Sequence, residues 1–265
     1  MKDDCVSVVI PCRNSAGYLK ETLANLLGQL KEGDEVLVVD NGSTDNLPTV
    51  LEPYGDAVNC IYVPYIGRWM REEALNKGVE AALNDLIIIL DADTVPQPHC
   101  IDNLRESGGK GVYVSGLIAL KVPDEVRLTP KQGMRIGVAL LGTSPPEKVL
   151  ENVKQGLNQE VMGACLCFHR TDWRRVGGYT YAYVGRWGLA ETDLYLKLHY
   201  AGVNMVALDK FNPLQMTGCI AVHIDYVTHT KKQVTKQRFK DLDENRHLLL
   251  SLLPRYEQGI FEEMK

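Results

Sequence analysis

The chain has 265 residues, enough for one large α/β domain with a substantial core. Hydrophobic residues make up 45% and charged residues 24%, which excludes a disordered chain and matches a globular one. The formal net charge of −5 excludes the basic footprint of a nucleic-acid binder, so no nucleic-acid partner is expected.

The first half alternates short apolar runs with helical patterns. Val6–Ile10 reads as a buried strand, and Gly17–Leu30 as a helix with Leu19, Leu23, Leu26 and Leu30 on one side. Glu35–Val39 is a second strand, Leu47–Leu51 starts a short helix, and Val58–Val63 is a third strand. Arg71–Leu83 is a helix with Ala74, Leu75, Gly78 and Ala82 at helical spacing, and Leu86–Leu90 is a fourth strand. Uninterrupted apolar strands alternating with helices predict a parallel sheet covered on both faces.

The second half is less regular. Gly111–Leu120 reads as one strand. The stretch Val122–Gly156 is rich in Pro, Gly and charge and reads as a loop region or insertion, with a short apolar piece at Ile136–Leu141. Glu160–Phe168 is a strand, Glu191–Ala201 a helix closed by Gly202, and Gly218–Ile224 a strand. Lys232–Leu253 is a long amphipathic helix whose mixed charges do not make a basic membrane-binding face. Packing on the body of the chain is expected for it, with a peripheral membrane contact or a homo-oligomer contact left open.

No repeat or linker divides the chain. A single catalytic domain over 1–265 is expected: a nucleotide-binding half at 1–105, an acceptor-side half at 106–230 and a C-terminal helical segment at 231–265. The seven cysteines lack a C-x-x-C pair, which argues for buried reduced thiols over a zinc site. The start, Met1-Lys2-Asp3-Asp4, has no apolar run like that of a signal peptide. No run approaches the ~20 apolar residues of a membrane span. A cytoplasmic protein is expected, free or at the cytoplasmic face of the membrane.

The sharpest feature is Asp91-Ala92-Asp93, directly after the run Leu86–Leu90. Two carboxylates emerge where a parallel strand ends, the edge at which ligands bind in open α/β sheets. Clustered carboxylates repel unless a cation or proton lies between them. Oxygen donors suit Mg²⁺ or Mn²⁺, which can also bridge a diphosphate. The competing reading is a turn with Asp91 capping a helix near Pro98.

Asp40 ends the second strand and could accept hydrogen bonds from a base or a ribose. After it, Asn41-Gly42 permits a tight turn, and Ser43, Thr44 or Asp45 can cap the next helix. Pro11 ends the first strand, and Arg13 and Asn14 behind it could meet a nucleotide.

The stretches VSVVIPCRNSAGYLKETLANLL, EVLVVDNGSTD, ALNKGVEAA and IIILDADTVPQPHCIDNL together resemble the family 2 glycosyltransferases of GT-A fold. The resemblance implies an α/β fold with a Rossmann-like mixed, mainly parallel sheet flanked by helices. It implies that the first two loops, with Pro11, Arg13, Asn14, Asp40 and Asn41, and the loop Asp91-Ala92-Asp93 hold a nucleotide-sugar donor, usually UDP-linked. In the family's pattern Pro11 and Asn14 line the base pocket and Asp40 contacts the base. Asp91 would touch the ribose or metal and Asp93 the metal. Lys77 lies where a basic or polar residue near the nucleotide is common, although a solvated helix lysine explains it equally well.

In the second half the resemblance is weaker. Gly163-Ala164 matches a small-residue segment that faces the donor sugar, and Trp187-Gly188-Leu189-Ala190-Glu191-Thr192-Asp193 matches the acceptor side. The family has adjacent Glu-Asp there, with the Asp as catalytic base; this chain has Ala190-Glu191. Glu191 is therefore the expected base. Asp193 is a structural or acceptor-binding residue and the next candidate for the base. Late histidines of this fold can complete the metal site, which marks His223, although a lone strand histidine is more often a core residue. Trp187 and Tyr183 could form a platform for a sugar ring or belong to the core.

The reaction implied is metal-dependent, inverting transfer from a nucleotide sugar to a hydroxyl of a carbohydrate, glycolipid or glycoprotein. A glutamate is ionised at neutral pH and competent as the base. One rival is a nucleotidyltransferase that makes sugar nucleotides, but the loop Pro11-Cys12-Arg13-Asn14 lacks the glycines of its phosphate loop. The other is a non-catalytic sugar-nucleotide-binding module, which the altered acid pair keeps open.

Overall fold

The computed structural model describes residues 5–68, 70–121, 138–141, 143–157, 161, 163–208, 220–223 and 236–261. Its first half runs β1 (Val6–Cys12), α1 (Ala16–Leu26), β2 (Glu35–Asp40), α2 (Leu47–Leu51), β3 (Asn59–Tyr62), α3 (Arg71–Ala81) and β4 (Leu86–Leu90). Then come β5 (Thr94–Pro96), α4 (Cys100–Ser107), β6 (Val112–Ser115), β7 (Leu117–Lys121), β8 (Val138–Leu141) and α5 (Pro146–Gln155). The described remainder is β9 (Cys165–His169), α6 (Arg170–Arg175), α7 (Ala190–Tyr200), β10 (Asn204–Ala207), β11 (Ile220–His223) and α8 (Lys236–Tyr256).

A seven-stranded sheet has the order β10-β6-β9-β4-β1-β2-β3. The pairs β4–β1, β1–β2, β2–β3 and β10–β6 are parallel, and β9 runs antiparallel between β4 and β6. A four-stranded sheet has the order β5-β11-β7-β8. The mixed, mainly parallel sheet with helices on both sides is the α/β architecture expected from the sequence.

Strand alternation sorts the apolar runs into two cores. Val6, Val8 and Ile10 join Val36, Val38, Ile88 and the α1 leucines Leu19, Leu23 and Leu26 on one face. Val9 joins Leu37, Val39, Ile87 and Ile89 on the other, with α3, α7 and α8. Each fully buried Val, Ile or Leu contributes about 1.5–3 kcal/mol, so the sheet demands cover on both faces. Gly78 lets α3 settle onto the second face: a Cβ there would lie 2.4 Å from Val9 Cγ1 and 2.8 Å from Val39 Cγ2.

Several segments differ from the sequence expectation. The single strand expected over Gly111–Leu120 is two, since β6 belongs to the large sheet and β7 to the small one. The chain changes sheets at Gly116, whose N–H still reaches Cys165 C=O at 3.0 Å. The expected loop region contains α5, which buries Val149 and Val153 against α7 and α8. The short strands β5 and β10 carry too few residues to show a period. Of the expected loop region, residues 122–137 and 142 lie outside the described residues. The long C-terminal helix packs on the body, burying Leu242, Leu249, Leu252, Leu253 and Tyr256 in the α3–α7 core. Among the described residues no helix is long and apolar enough to cross a membrane.

Candidate functional site

Because β4, β1 and β2 are parallel neighbours, the loops that follow them leave the same edge of the sheet. Pro11 and Cys12 pair in register with Val39 and Asp40, and Asn41 N–H donates to Cys12 C=O at 2.9 Å. Asn14 takes a left-handed φ of 52°, which asparagine tolerates better than most residues. Its Oδ1 accepts from Thr44 N–H at 2.7 Å and from the Thr44 hydroxyl at 3.2 Å, and its own N–H donates to Ser43 Oγ at 3.1 Å. Asp45 caps α1 by accepting Ala16 N–H at 2.9 Å.

The first two loops thus brace each other and bring Pro11, Arg13, Asn14, Asp40 and Asn41 into one cluster. Asp40 is half-buried and accepts Ser43 N–H at 2.7 Å. Asn41 is buried and braces the turn from inside, with Nδ2 3.5 Å from Val63 C=O, so it supports the loop more than it faces a ligand. The Arg13 guanidinium lies 3.4 Å over the Tyr65 ring. Beneath the cluster, burial pushes the Cys12 thiol up to about 12.

A second cluster forms where β4 ends. Asp91 N–H donates to Ala164 C=O at 3.0 Å, and Ala92 C=O accepts from the fully buried Thr22 hydroxyl at 2.8 Å. The turn between Asp91 and Asp93 is thereby pinned to β9's entry and to α1, and both acids are half-buried.

Arg71, the first residue of α3, reaches into this turn. Its Nη2 donates to Asp91 Oδ1 at 2.6 Å and to Gly163 C=O at 3.3 Å, and its Nη1 donates to Glu191 Oε1. Burial alone would lower the Arg71 pKa, but the Asp91 and Glu191 charges outweigh it and hold it well above the usual arginine value. Glu191, in the first turn of α7, rests against Gly163, where a Cβ would lie 2.2 Å from Glu191 Cγ. Gly163, Ala164, Asp91, Arg71 and Glu191 therefore form one constellation.

Asp193 lies elsewhere. It is fully buried and accepts from Thr180 Oγ1 at 2.6 Å, Tyr256 O–H at 2.6 Å and Tyr183 O–H at 3.4 Å, with Lys197 Nζ 3.5 Å away. This network ties α7 to α8 and leaves Asp193 out of an acceptor's reach. Tyr183 is also fully buried, which makes it core and not a sugar platform; Trp187 is half-buried with Arg238 4.6 Å over its ring.

Lys77 is exposed, and six residues of helix place it about 120° around α3 from Arg71. The basic residue that meets the acids is Arg71, which the sequence reading passed over. Its signal was available: a cation at a helix's first position opposes the helix dipole and calls for acidic partners from elsewhere.

Among the described residues no group of three or more His, Cys, Asp and Glu stands together as a complete metal cage. Asp91 and Asp93 nevertheless offer oxygen donors at a half-buried turn, and Asp91 already draws a cation, the Arg71 guanidinium. Strand β11 sets His223 opposite Thr94, next to Asp93 in the chain, while the His223 side chain lies outside the described part of the structure. Two carboxylates that leave other positions to diphosphate oxygens and water fit Mg²⁺ or Mn²⁺.

Comparison with known proteins fits this geometry. A model described as N-terminal domain of galactosyltransferase matches residues 150–224, which include Glu191. Glycosyltransferase GlyG of Streptococcus pneumoniae is 29% identical over 104 residues, taking in 39% of this chain and 35% of that protein. The chain spans about a third of the length of such curated relatives.

Among solved structures, a mannosyltransferase from Pyrobaculum calidifontis in complex with GDP-Man and Mn²⁺ superposes with a TM-score of 0.55 at 17% identity, covering 96% of this chain and 73% of that one. S. aureus TarS 1–349 in complex with UDP-GlcNAc gives a TM-score of 0.56 at 16% identity, covering 97% and 70%. These likenesses establish the fold as GT-A. The model for glycosyl transferase family 2 matches residues 7–175, more than half of the sequence, and the chain belongs to that family.

Proposed function

We propose that the chain transfers a sugar from a nucleoside diphosphate sugar, UDP-linked in the first instance, to a hydroxyl of a carbohydrate, glycolipid or glycoprotein acceptor in the cytoplasm. The observation that carries this reading is the convergence of Asp91 and Glu191 on one guanidinium, Arg71, at the ligand-binding edge of the sheet. A donor-side acid and an acceptor-side acid from distant parts of the sequence are thereby held side by side.

Asp40, at the end of β2, meets the base, with Pro11 and Asn14 bordering it and Arg13 over Tyr65 beside it. Asp93 and Asp91 would hold Mn²⁺ or Mg²⁺, with His223 as a further candidate ligand. Such an ion supplies Lewis-acid neutralisation of the leaving diphosphate when bound. Gly163 makes room for the Glu191 side chain, and the Gly163-Ala164 segment borders the donor sugar.

Glu191 accepts the proton of the acceptor hydroxyl while that oxygen bonds to the anomeric carbon. The bond from that carbon to the diphosphate breaks, and the nucleoside diphosphate leaves with the electron pair. One displacement inverts the configuration. Arg71 holds the Glu191 carboxylate in place, and Asp193 anchors the helix that carries it.

A thermal-shift screen of UDP-glucose, UDP-N-acetylglucosamine, UDP-galactose and GDP-mannose, each with and without Mn²⁺, tests the reading. Stabilisation by one donor class that requires the metal supports it. Equal response to every nucleotide, or none to any, contradicts it.

A further inference from the structure

The turn that delivers Glu191 is strained. Gly188 has a φ of +91° and Leu189 a φ of +68°, two successive left-handed residues of which only the first is glycine. Leucine pays for that conformation, so it persists only where the surroundings fix it. Asp193 N–H then donates to Leu189 C=O at 2.8 Å, which makes this turn the first turn of α7, with Glu191 inside it.

Most of what fixes the turn is α8. Asn245 is fully buried, and its Nδ2 donates to Gly188 C=O at 2.7 Å and to Trp187 C=O at 3.3 Å. Its Oδ1 accepts from Arg186 at 3.4 Å. One helical turn earlier, Asp241 accepts Trp187 N–H at 3.3 Å. Beside it, Leu242 fills the notch at Gly188, where a Cβ would lie 2.6 Å from Leu242 Cδ2. At the far end of α8, Tyr256 O–H donates to Asp193 at 2.6 Å. Residues 241, 242 and 245 share one face of the helix, and that face reads the backbone of residues 187 and 188. The helix lies beyond both stretches matched by the family models, 7–175 and 150–224.

We infer that α8 is a clamp on the base-bearing turn and that Asn245 is a positioning residue for transfer, acting through the Trp187 and Gly188 carbonyls on Glu191. The inference rests on Glu191 being the base. Asn245 donates to two part-buried carbonyls of the turn, so its loss lets residues 186–190 relax from the left-handed path. Displacing a catalytic group by about 1 Å costs on the order of 100-fold in rate, while the nucleotide loops after β1, β2 and β4 stay as they are.

The test compares wild type, Asn245→Ala and Glu191→Gln. Amide hydrogen exchange is read over residues 186–193, and UDP with Mn²⁺ is titrated by calorimetry. Turnover is followed as nucleotide release with the donor selected by the thermal-shift screen. For Asn245→Ala, exchange over 186–193 rises about tenfold or more, kcat falls roughly 10- to 100-fold, and the Kd for UDP stays within about twofold. Unchanged exchange, or wild-type kcat in a protein whose Glu191→Gln form is inactive, overturns the clamp and leaves the base assignment standing. Wild-type turnover by Glu191→Gln overturns the base assignment itself. If Asn245→Ala does not fold, Asp241→Ala, which removes only the partner of Trp187 N–H from the turn, carries the same expectations.

Discussion

Replacing Arg71 by glutamine removes the charge that joins the two halves of the site. The side chains of Arg71, Asp91 and Glu191 are 15%, 26% and 19% exposed, so water screens the ion pairs only partly. Hydrogen bonds to charged groups contribute about 1.5–3 kcal/mol each, and the lower end applies here because of that exposure. Three bonds are lost, two to carboxylates and a longer one to Gly163 C=O, and glutamine recovers about two neutral bonds, which leaves a net cost of about 2 kcal/mol. For a chain of this size that lowers Tm by about 4–8 °C.

Arg71→Gln also leaves Asp91 and Glu191 without their shared cation. Mn²⁺ with UDP should then raise the Tm of Arg71→Gln by more than it raises that of the wild type, because the ion restores positive charge beside Asp91. The assay is a melting curve by circular dichroism with and without 1:1 Mn²⁺ and UDP. A variant that melts with the wild type and responds identically to Mn²⁺ refutes the argument that Arg71 links the acids.

Other expectations follow from contacts elsewhere in the fold. Gly163→Ala puts a Cβ 2.2 Å from Glu191 Cγ, so it should lower kcat while UDP binding by calorimetry holds; weakened UDP binding in step with kcat would contradict this. Gly78→Ala drives a methyl against Val9 and Val39 and should cost about 1–3 kcal/mol in chemical denaturation, as overpacking does. Asp193→Asn breaks a fully buried network and should destabilise the chain strongly, with UDP affinity per folded molecule much less affected. Burial raises the Cys12 thiol to about 12, so the unfolded chain loses that proton at lower pH than the folded one. The Cys12 contribution to stability is therefore present below about pH 9 and is lost as pH climbs toward 12; the thiol should also resist iodoacetamide at pH 8, as peptide mass spectrometry can read.

The parts of the fold legible in the sequence are those whose pattern is local. The runs at Val6–Cys12, Glu35–Asp40 and Leu86–Leu90 are apolar throughout because both faces of a central parallel strand are covered. The acids at 40, 91 and 93 stand out because they follow such runs directly. What the sequence hid is set by distant partners. Arg71 at the first position of a helix, against its dipole, calls for acidic partners, but only the fold identifies them as Asp91 and Glu191. Glu191 and Asp193 look interchangeable along the chain, and the tyrosine from α8 that engages Asp193 comes from 63 residues away. Helix α5 was legible and overlooked: Pro146 begins it, Gly156 ends it with a left-handed φ of 72°, and Val149 and Val153 are one turn apart.

The central claim is that Glu191 performs the proton transfer beside a nucleotide-sugar site built on Asp40, Asp91 and Asp93. Its most direct measurement is turnover of Glu191→Gln, paired with calorimetric titration of UDP and Mn²⁺ on the same preparation. A fall in kcat of about 100-fold or more with nucleotide affinity retained is the predicted result. Transfer at the wild-type rate would contradict it.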